Sequence, residues 1–270
     1  MTGLQKTSSA NSRLLVVAYR VPLRMLQRGA VFAIVILFWQ LVVWSQLIAP
    51  HLLPSPGTVL ASFVKLLTEQ GLFVHVVVST RRVVLGVLIG AVLAIPTGFA
   101  LGWYKAVYQF LDPLINFMRA LPPIALVPLV VVYLGIGEPA RLLVLVYAAF
   151  FSATVVMYEG IVGLDPIYIR AARALGANGR EIFFRVVLPL AVPHVLTALR
   201  VALGVSWATL VAAELVAAQQ GLGALIQNAS NFFQIPAIFV GIILIGFTAL
   251  LMDQLLRMLI RHFVSWRETV

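Results

Sequence analysis

Val83–Trp103 reads VVLGVLIGAVLAIPTGFALGW, twenty-one residues without an Asp, Glu, Lys or Arg. As a helix rising 1.5 Å per residue, such a stretch crosses the ~30 Å hydrocarbon core of a bilayer. Similar stretches recur along the chain at Ala30–Ile48, Leu114–Leu134, Ala140–Ile161, Val192–Ala213 and Ile235–Leu256. Arg119 and Pro122-Pro123 interrupt the third of these, and Arg200 lies two turns into the fifth. Of the 270 residues 62% are hydrophobic and only 10% charged, far from the ~25% charged of a soluble domain. Prolines and glycines within the stretches are tolerated where neighbouring helices or a cavity satisfy the freed backbone groups. The sequence therefore predicts an all-α integral membrane protein with about six transmembrane helices.

Charge sets the orientation. Lys6, Arg13, Arg20, Arg24 and Arg28 precede the first span, with no short apolar core and small-residue cleavage site to mark a removable signal. With that end inside, fourteen of the nineteen Lys and Arg fall in inner segments, and Lys65, Arg81, Arg82 and Arg141 fall outside. This is the positive-inside pattern. It accounts for the net charge of +10 as topology, so no nucleic-acid partner is called for. The expected organisation is a cytoplasmic N-terminal segment over 1–29, a membrane domain over 30–262 and a cytoplasmic tail over 263–270. There are no cysteines, and the four histidines have no metal-site spacing, so no metal site is expected. Two outer stretches, Thr58–Leu67 after Pro54-Ser55-Pro56-Gly57 and Gln219–Phe233 with Gly221-Leu222-Gly223, read either as helices lying flat or as connecting loops.

The inner segment Asp165–Pro189 is patterned as helix rather than loop. Asp165-Pro166 is a helix start and Gly176 a stop. Between them Tyr168, Ala171, Ala172 and Leu175 share one face, with Arg170 and Arg173 on the opposite side. Asn178-Gly179 starts a second piece that Pro189 is expected to close. The residues alone leave a docking surface and an ordinary interfacial helix equally open.

Arg170-Ala171-Ala172, three residues, Gly176, nine residues, then Val186-Val187-Leu188-Pro189 resembles the signature loop of binding-protein-dependent ABC importer permeases. The family pattern is Glu-Ala-Ala, three residues, Gly, nine residues, Ile-x-Leu-Pro, so Arg170 reverses a charge and Val186 replaces an Ile. The resemblance runs from Leu53-Pro54-Ser55-Pro56 to the last span. It is strongest toward the branch serving taurine, alkanesulfonates, nitrate and pyrimidine precursors. Ile169-Arg170-Ala171-Ala172 and the stretch Gly204–Leu215 look like the taurine permeases in particular.

The resemblance implies a type I ABC importer permease fold, with residues 164–189 as the loop that couples to the ATPase through Tyr168, Arg170, Ala171, Ala172, Arg173, Leu175 and Gly176. It implies a second permease copy, an ABC ATPase dimer that binds ATP and Mg, an extracytoplasmic solute-binding protein, and a place in a bacterial inner membrane with both termini inside. The chain agrees by omission. Its lysines, Lys6, Lys65 and Lys105, follow Gln, Val and Tyr, so it has no phosphate-binding loop, and it offers no catalytic cluster. A non-catalytic subunit without a cofactor of its own is expected.

Polar groups within spans often mark a pathway. Arg119 with Pro122 and Pro123, and Ser206, Trp207, Thr209 and Glu214 of the fifth span, are the candidates. The competing readings are a structural kink for the first group, and hydrogen bonds to their own helix or across a helix contact for Ser206 and Thr209. Glu214 is expected at the outer end of its span, against the binding protein or lipid headgroups. Taurine is the leading solute. Nitrate or a pyrimidine precursor would keep the same role, whereas a stand-alone secondary transporter would be a different class and would place charged residues deep in several spans.

Overall fold

The computed structural model describes residues 29–49, 51–215 and 218–263. The segment expected over 1–29 and the tail over 263–270 lie outside it, apart from Gly29 and Phe263. Regular structure among the described residues is entirely helical. Contacts divide the chain into Met1–Phe63 and Val64–Val270.

In the first unit, α1 (Gly29–Trp44) is apolar but short. It rises about 24 Å, less than the hydrocarbon thickness. Trp39 Nε1 donates to the Pro54 carbonyl at 3.1 Å. Ser55 Oγ accepts the Thr58 N–H at 3.2 Å and so caps α2 (Pro56–Glu69), which runs across the boundary between the units.

The second unit holds α3 (Leu72–Trp103), α4 (Lys105–Ala120), α5 (Pro123–Leu134), α6 (Glu138–Val162), α7 (Pro166–Ala174), α8 (Gly179–Ile182), α9 (Leu188–Leu215), α10 (Leu222–Asn231) and α11 (Ile235–Phe263). Among the described residues four helices are long and apolar enough to cross a membrane: α3, α6, Gly179–Leu215 and Ile235–Ile260. The bent pair α4 and α5 makes a fifth if it is one span.

The core is set by α3 against α6. Gly86, Gly90, Ala94, Gly98 and Gly102 recur every four residues on α3, as do Leu145, Ala149, Ala153, Met157 and Ile161 on α6. A Cβ at Gly86 or Gly90 would lie 2.6 Å from the Cβ of Leu145 or Ala149. Small residues at this spacing let two membrane helices meet backbone to backbone, where packing rather than hydrophobicity drives association.

Three expectations about elements need correction. The second span starts at Leu72, not Val83, so Arg81 and Arg82 lie within a helix and not in an outer loop. The third is no straight span: α4 begins at Lys105, and α4 and α5 meet at a 93° bend. Leu121 and Pro122 there are extended, with ψ of 122° and 125°. A residue before proline is pushed out of the helical region, and Leu121 and Pro122 each precede one. Finally, Pro189 does not close a helix. A π turn over Phe183–Val187 carries α8 into α9 without a break. The widened turn shifts the carbonyls that a proline ring would strike in regular helix.

Of the two outer stretches, Gln219–Phe233 folds largely as helix rather than loop. Its helix α10 buries Leu222, Gly223, Ala224, Leu225 and Ala229, packing on α9 and α11.

Candidate functional site

The α7 turn is fixed by its own ends. Asp165 Oδ1 accepts the Ile167 N–H at 2.9 Å and Pro166 takes the first helical position. At the other end Gly176 has φ +84°. Its N–H donates to Arg173 O at 3.0 Å, and the next N–H, of Ala177, reaches Ala172 O at 3.0 Å. This left-handed Schellman stop favours glycine strongly. Two residues on, Asn178 and Glu181 exchange reciprocal bonds of 2.9 Å in a capping box. A nine-residue helix too short to be stable alone is thus held in one shape.

Its faces differ from the sequence expectation by one position. Ile169 and Ala172 pack inward on the core, so Ala172 leaves the face expected for it. Tyr168, Ala171 and Leu175 remain exposed, Leu175 at 88%, along with Arg170 and Arg173. Nearby, Phe183 stacks edge-on against Phe99 and Trp103 at 5.6 and 5.5 Å, tying the π turn to the end of α3.

The path candidates do not gather in one place. Ser206, Trp207 and Thr209 are buried in α9. Ser206 Oγ and Trp207 Nε1 have no hydrogen-bond partner among the described residues. Ser152 and Thr197, by contrast, bond back to their own helices. Pro122 and Pro123 form the bend, as the N-cap and first residue of α5. Arg119 is exposed on the last turn of α4, beside a cavity walled by α3, α4 and α6 with no residue from α9. Along that wall Tyr108 of α4 stacks on Tyr158 of α6 with ring centroids 4.8 Å apart, and Tyr147 Oη donates to Met118 O.

Glu214 stands in the last turn of α9, at the end of its span, but it is buried rather than exposed. Its side chain is fully buried and accepts Arg82 Nη1 at 2.6 Å, Ser79 Oγ at 2.8 and 2.9 Å, and the Gly223 N–H at 2.8 Å. Arg82, itself 4% exposed, also forks onto Glu138 through Nε (2.9 Å) and Nη2, and reaches Gln220 O at 2.6 Å. Arg141 adds a second cation on Glu138 at 3.1 Å. Arg82 and Glu214 therefore balance each other in a low-dielectric place where an unmatched charge would be costly, while Glu138, 48% exposed, and Arg141 carry the network to the surface. Gly221 and Gly223 permit it, since a Cβ at either would strike the Glu214 side chain. The knot pins the start of α10 to α3, α6 and α9.

Sequence reading missed Arg82, Ser79 and Glu138. Arg82 and Ser79 lie 132 and 135 positions from Glu214, and Glu138 lies 56 from Arg82, so no local periodicity announces such pairings. Asp253 was missed as well. It receives Arg200 at 2.7 Å, joining α9 to α11.

The sequence profile described as "Binding-protein-dependent transport system inner membrane component" matches residues 86–265. A probable ABC transporter permease protein of Brucella abortus is 43% identical over 216 residues, 80% of this chain and 86% of its own. The taurine transport system permease protein of Escherichia coli is 37% identical over 88% of both chains. The nitrate import permease protein of a Synechocystis strain is 29% identical, over 87% of this chain and 88% of its own. Among solved structures, the MetNI methionine ABC transporter in an inward-facing conformation gives a TM-score of 0.58 at 20% identity, covering 70% of this chain and 98% of that one. An amino acid ABC transporter crystallised with histidines gives 0.60 at 20%, covering 74% and 98%. The family match and these sequence similarities make the chain a member of the binding-protein-dependent permease family, the non-catalytic membrane subunits of ABC importers.

Proposed function

We propose that two copies of this chain form the translocation path of an ATP-driven importer for taurine or a closely related small sulfonate. The observation that carries the solute is the 37% identity, over 88% of both chains, to a taurine transport system permease. A putative-sulfonate branch relative of Bacillus subtilis, 32% identical over 88% of this chain, points the same way. Each copy offers one α7 to one subunit of an ATPase dimer, which binds the ATP and Mg. A solute-binding protein docks on the opposite face. In this arrangement both termini and α7 face the cytoplasm of a bacterium, and the membrane is its inner one.

Exposure of Tyr168, Ala171 and Leu175 on a turn capped at both ends supports the docking role. Apolar side chains on a rigid turn gain contact without a large ordering cost. Arg170 and Arg173 beside them suit an acidic rim on the ATPase. The test is ATP hydrolysis by the complex reconstituted with its ATPase and binding protein. Stimulation by taurine and not by nitrate or a pyrimidine is the expected result. Hydrolysis that answers only to nitrate would move the assignment to that branch, and failure to assemble with any ATPase would overturn the importer role.

A further inference from the structure

The cavity beside Arg119 is small, about 180 Å³, room for roughly six waters. Its walls carry charges of both signs. Arg119 and Asp112 come from α4, and Glu159 from α6. Among the described residues Arg119 forms no ion pair with either carboxylate, and Asp112 accepts Asn116 Nδ2 at 2.8 Å. Thr154 adds a wholly buried hydroxyl that makes no hydrogen bond among the described residues. Tyr108, Asp112, Asn116 and Arg119 stand at i, i+4, i+8 and i+11 on α4, which makes one polar stripe down a membrane helix. A stripe of that kind cannot face lipid and must border water, protein or solute.

From this we infer that the cavity is a solute subsite for a small zwitterion, with Arg119 taking a sulfonate or carboxylate and Asp112 and Glu159 taking an ammonium. A guanidinium pairs with such an oxyanion through parallel hydrogen bonds, and a carboxylate accepts from an ammonium in the same charge-assisted way. A bare anion such as nitrate would satisfy Arg119 and leave both carboxylates without a cation. An alkanesulfonate lacking an amine fails in the same respect. A zwitterion with one group of each sign meets both. The inference rests on the importer reading above and narrows its solute class to aminoalkanesulfonates and amino acids of similar size.

Equilibrium dialysis of radiolabelled taurine, ethanesulfonate and nitrate against the whole permease–ATPase complex in lipid nanodiscs, without binding protein, tests it. Taurine is expected to bind at least about tenfold more tightly than ethanesulfonate or nitrate. In the paired variant Asp112→Asn with Glu159→Gln that ratio falls to about one. Arg119→Gln loses both sulfonates, and Arg119→Lys restores part of the binding. A wild-type ratio near one, a ratio unchanged in the carboxamide variant, full binding by Arg119→Gln, or no saturable binding overturns the subsite. Because a ratio does not depend on the folded fraction, the carboxamide variant decides even if Arg119→Gln fails to assemble. Taurine-stimulated hydrolysis alongside an unselective cavity sinks this inference and leaves the functional reading standing. Hydrolysis that answers only to nitrate does the reverse, with the cavity's preference still measured independently.

Discussion

Arg82 and Glu214 are the residues whose removal the molecule should tolerate least. Deleting one member of a buried ion pair leaves the other charge uncompensated, which costs about 3–5 kcal/mol. Arg82→Gln and Glu214→Gln should each lower the thermal unfolding midpoint of the purified protein by many degrees. Arg257→Gln should shift it little, because its pair with Asp253 is half-exposed and of a kind worth under about 1 kcal/mol. An equal, small loss in all three variants would mean that the knot is a surface-like pair. Gly176 behaves differently. Nothing lies within 4 Å of a Cβ there, so any penalty arises from its φ of +84° alone. Gly176→Ala should cost about 1 kcal/mol locally. It should show as faster amide exchange over α7 with no change in the global midpoint.

At the scale of elements, how much could be read beforehand depended on how local the cause was. The caps of α7 were legible because Asp165, Pro166 and Gly176 act within a few residues of their own backbone. Its inward face was not, because Ile169 rather than Tyr168 finds the core, and only the neighbouring helices decide that. The first third of α3 was hidden by Arg81, Arg82 and His75, which dilute its hydropathy; Arg82 and His75 are housed by partners far away in sequence. The four-residue glycine rhythm from Gly86 to Gly102 was present in the sequence and is the signal that would have found the α3–α6 contact. Gly90→Leu should test it. A Cβ there would sit 2.6 Å from Ala149 Cβ and about as near as 3.0 Å to the Phe150 backbone nitrogen. Overpacking of this kind costs typically 1–3 kcal/mol or more. Folded yield by size-exclusion chromatography should drop sharply, whereas Gly246→Leu, which has open space around it, should leave yield near wild type.

For the whole molecule, the α7 turn is the part proposed to meet the ATPase. Asp165→Ala removes the N-cap bond and should cost about 1 kcal/mol of helix stability. In proteoliposomes holding the complete transporter, the expected result is less solute moved per ATP hydrolysed, with each permease still inserted. An unchanged ratio of uptake to hydrolysis would detach this turn from energy transfer. Native mass spectrometry of the same complex should show two permease chains to two ATPase chains, and a single permease chain would contradict the paired path. Which partners assemble around the chain was legible only through resemblance, since nothing in one subunit's packing counts its neighbours.

The π turn before Pro189 has a mechanical consequence. Because it spares the helix a break, Gly179–Leu215 is one rod of 37 residues, about 55 Å long. One end follows directly from the α7 turn and the other carries Glu214. If such a strut pivots at one end, a tilt of about 5° swings the opposite tip by about 5 Å. That displacement exceeds the length of any hydrogen bond in the charged knot. A lever of this kind works only while it stays stiff, and its stiffness depends on the five residues Phe183–Val187 remaining wound.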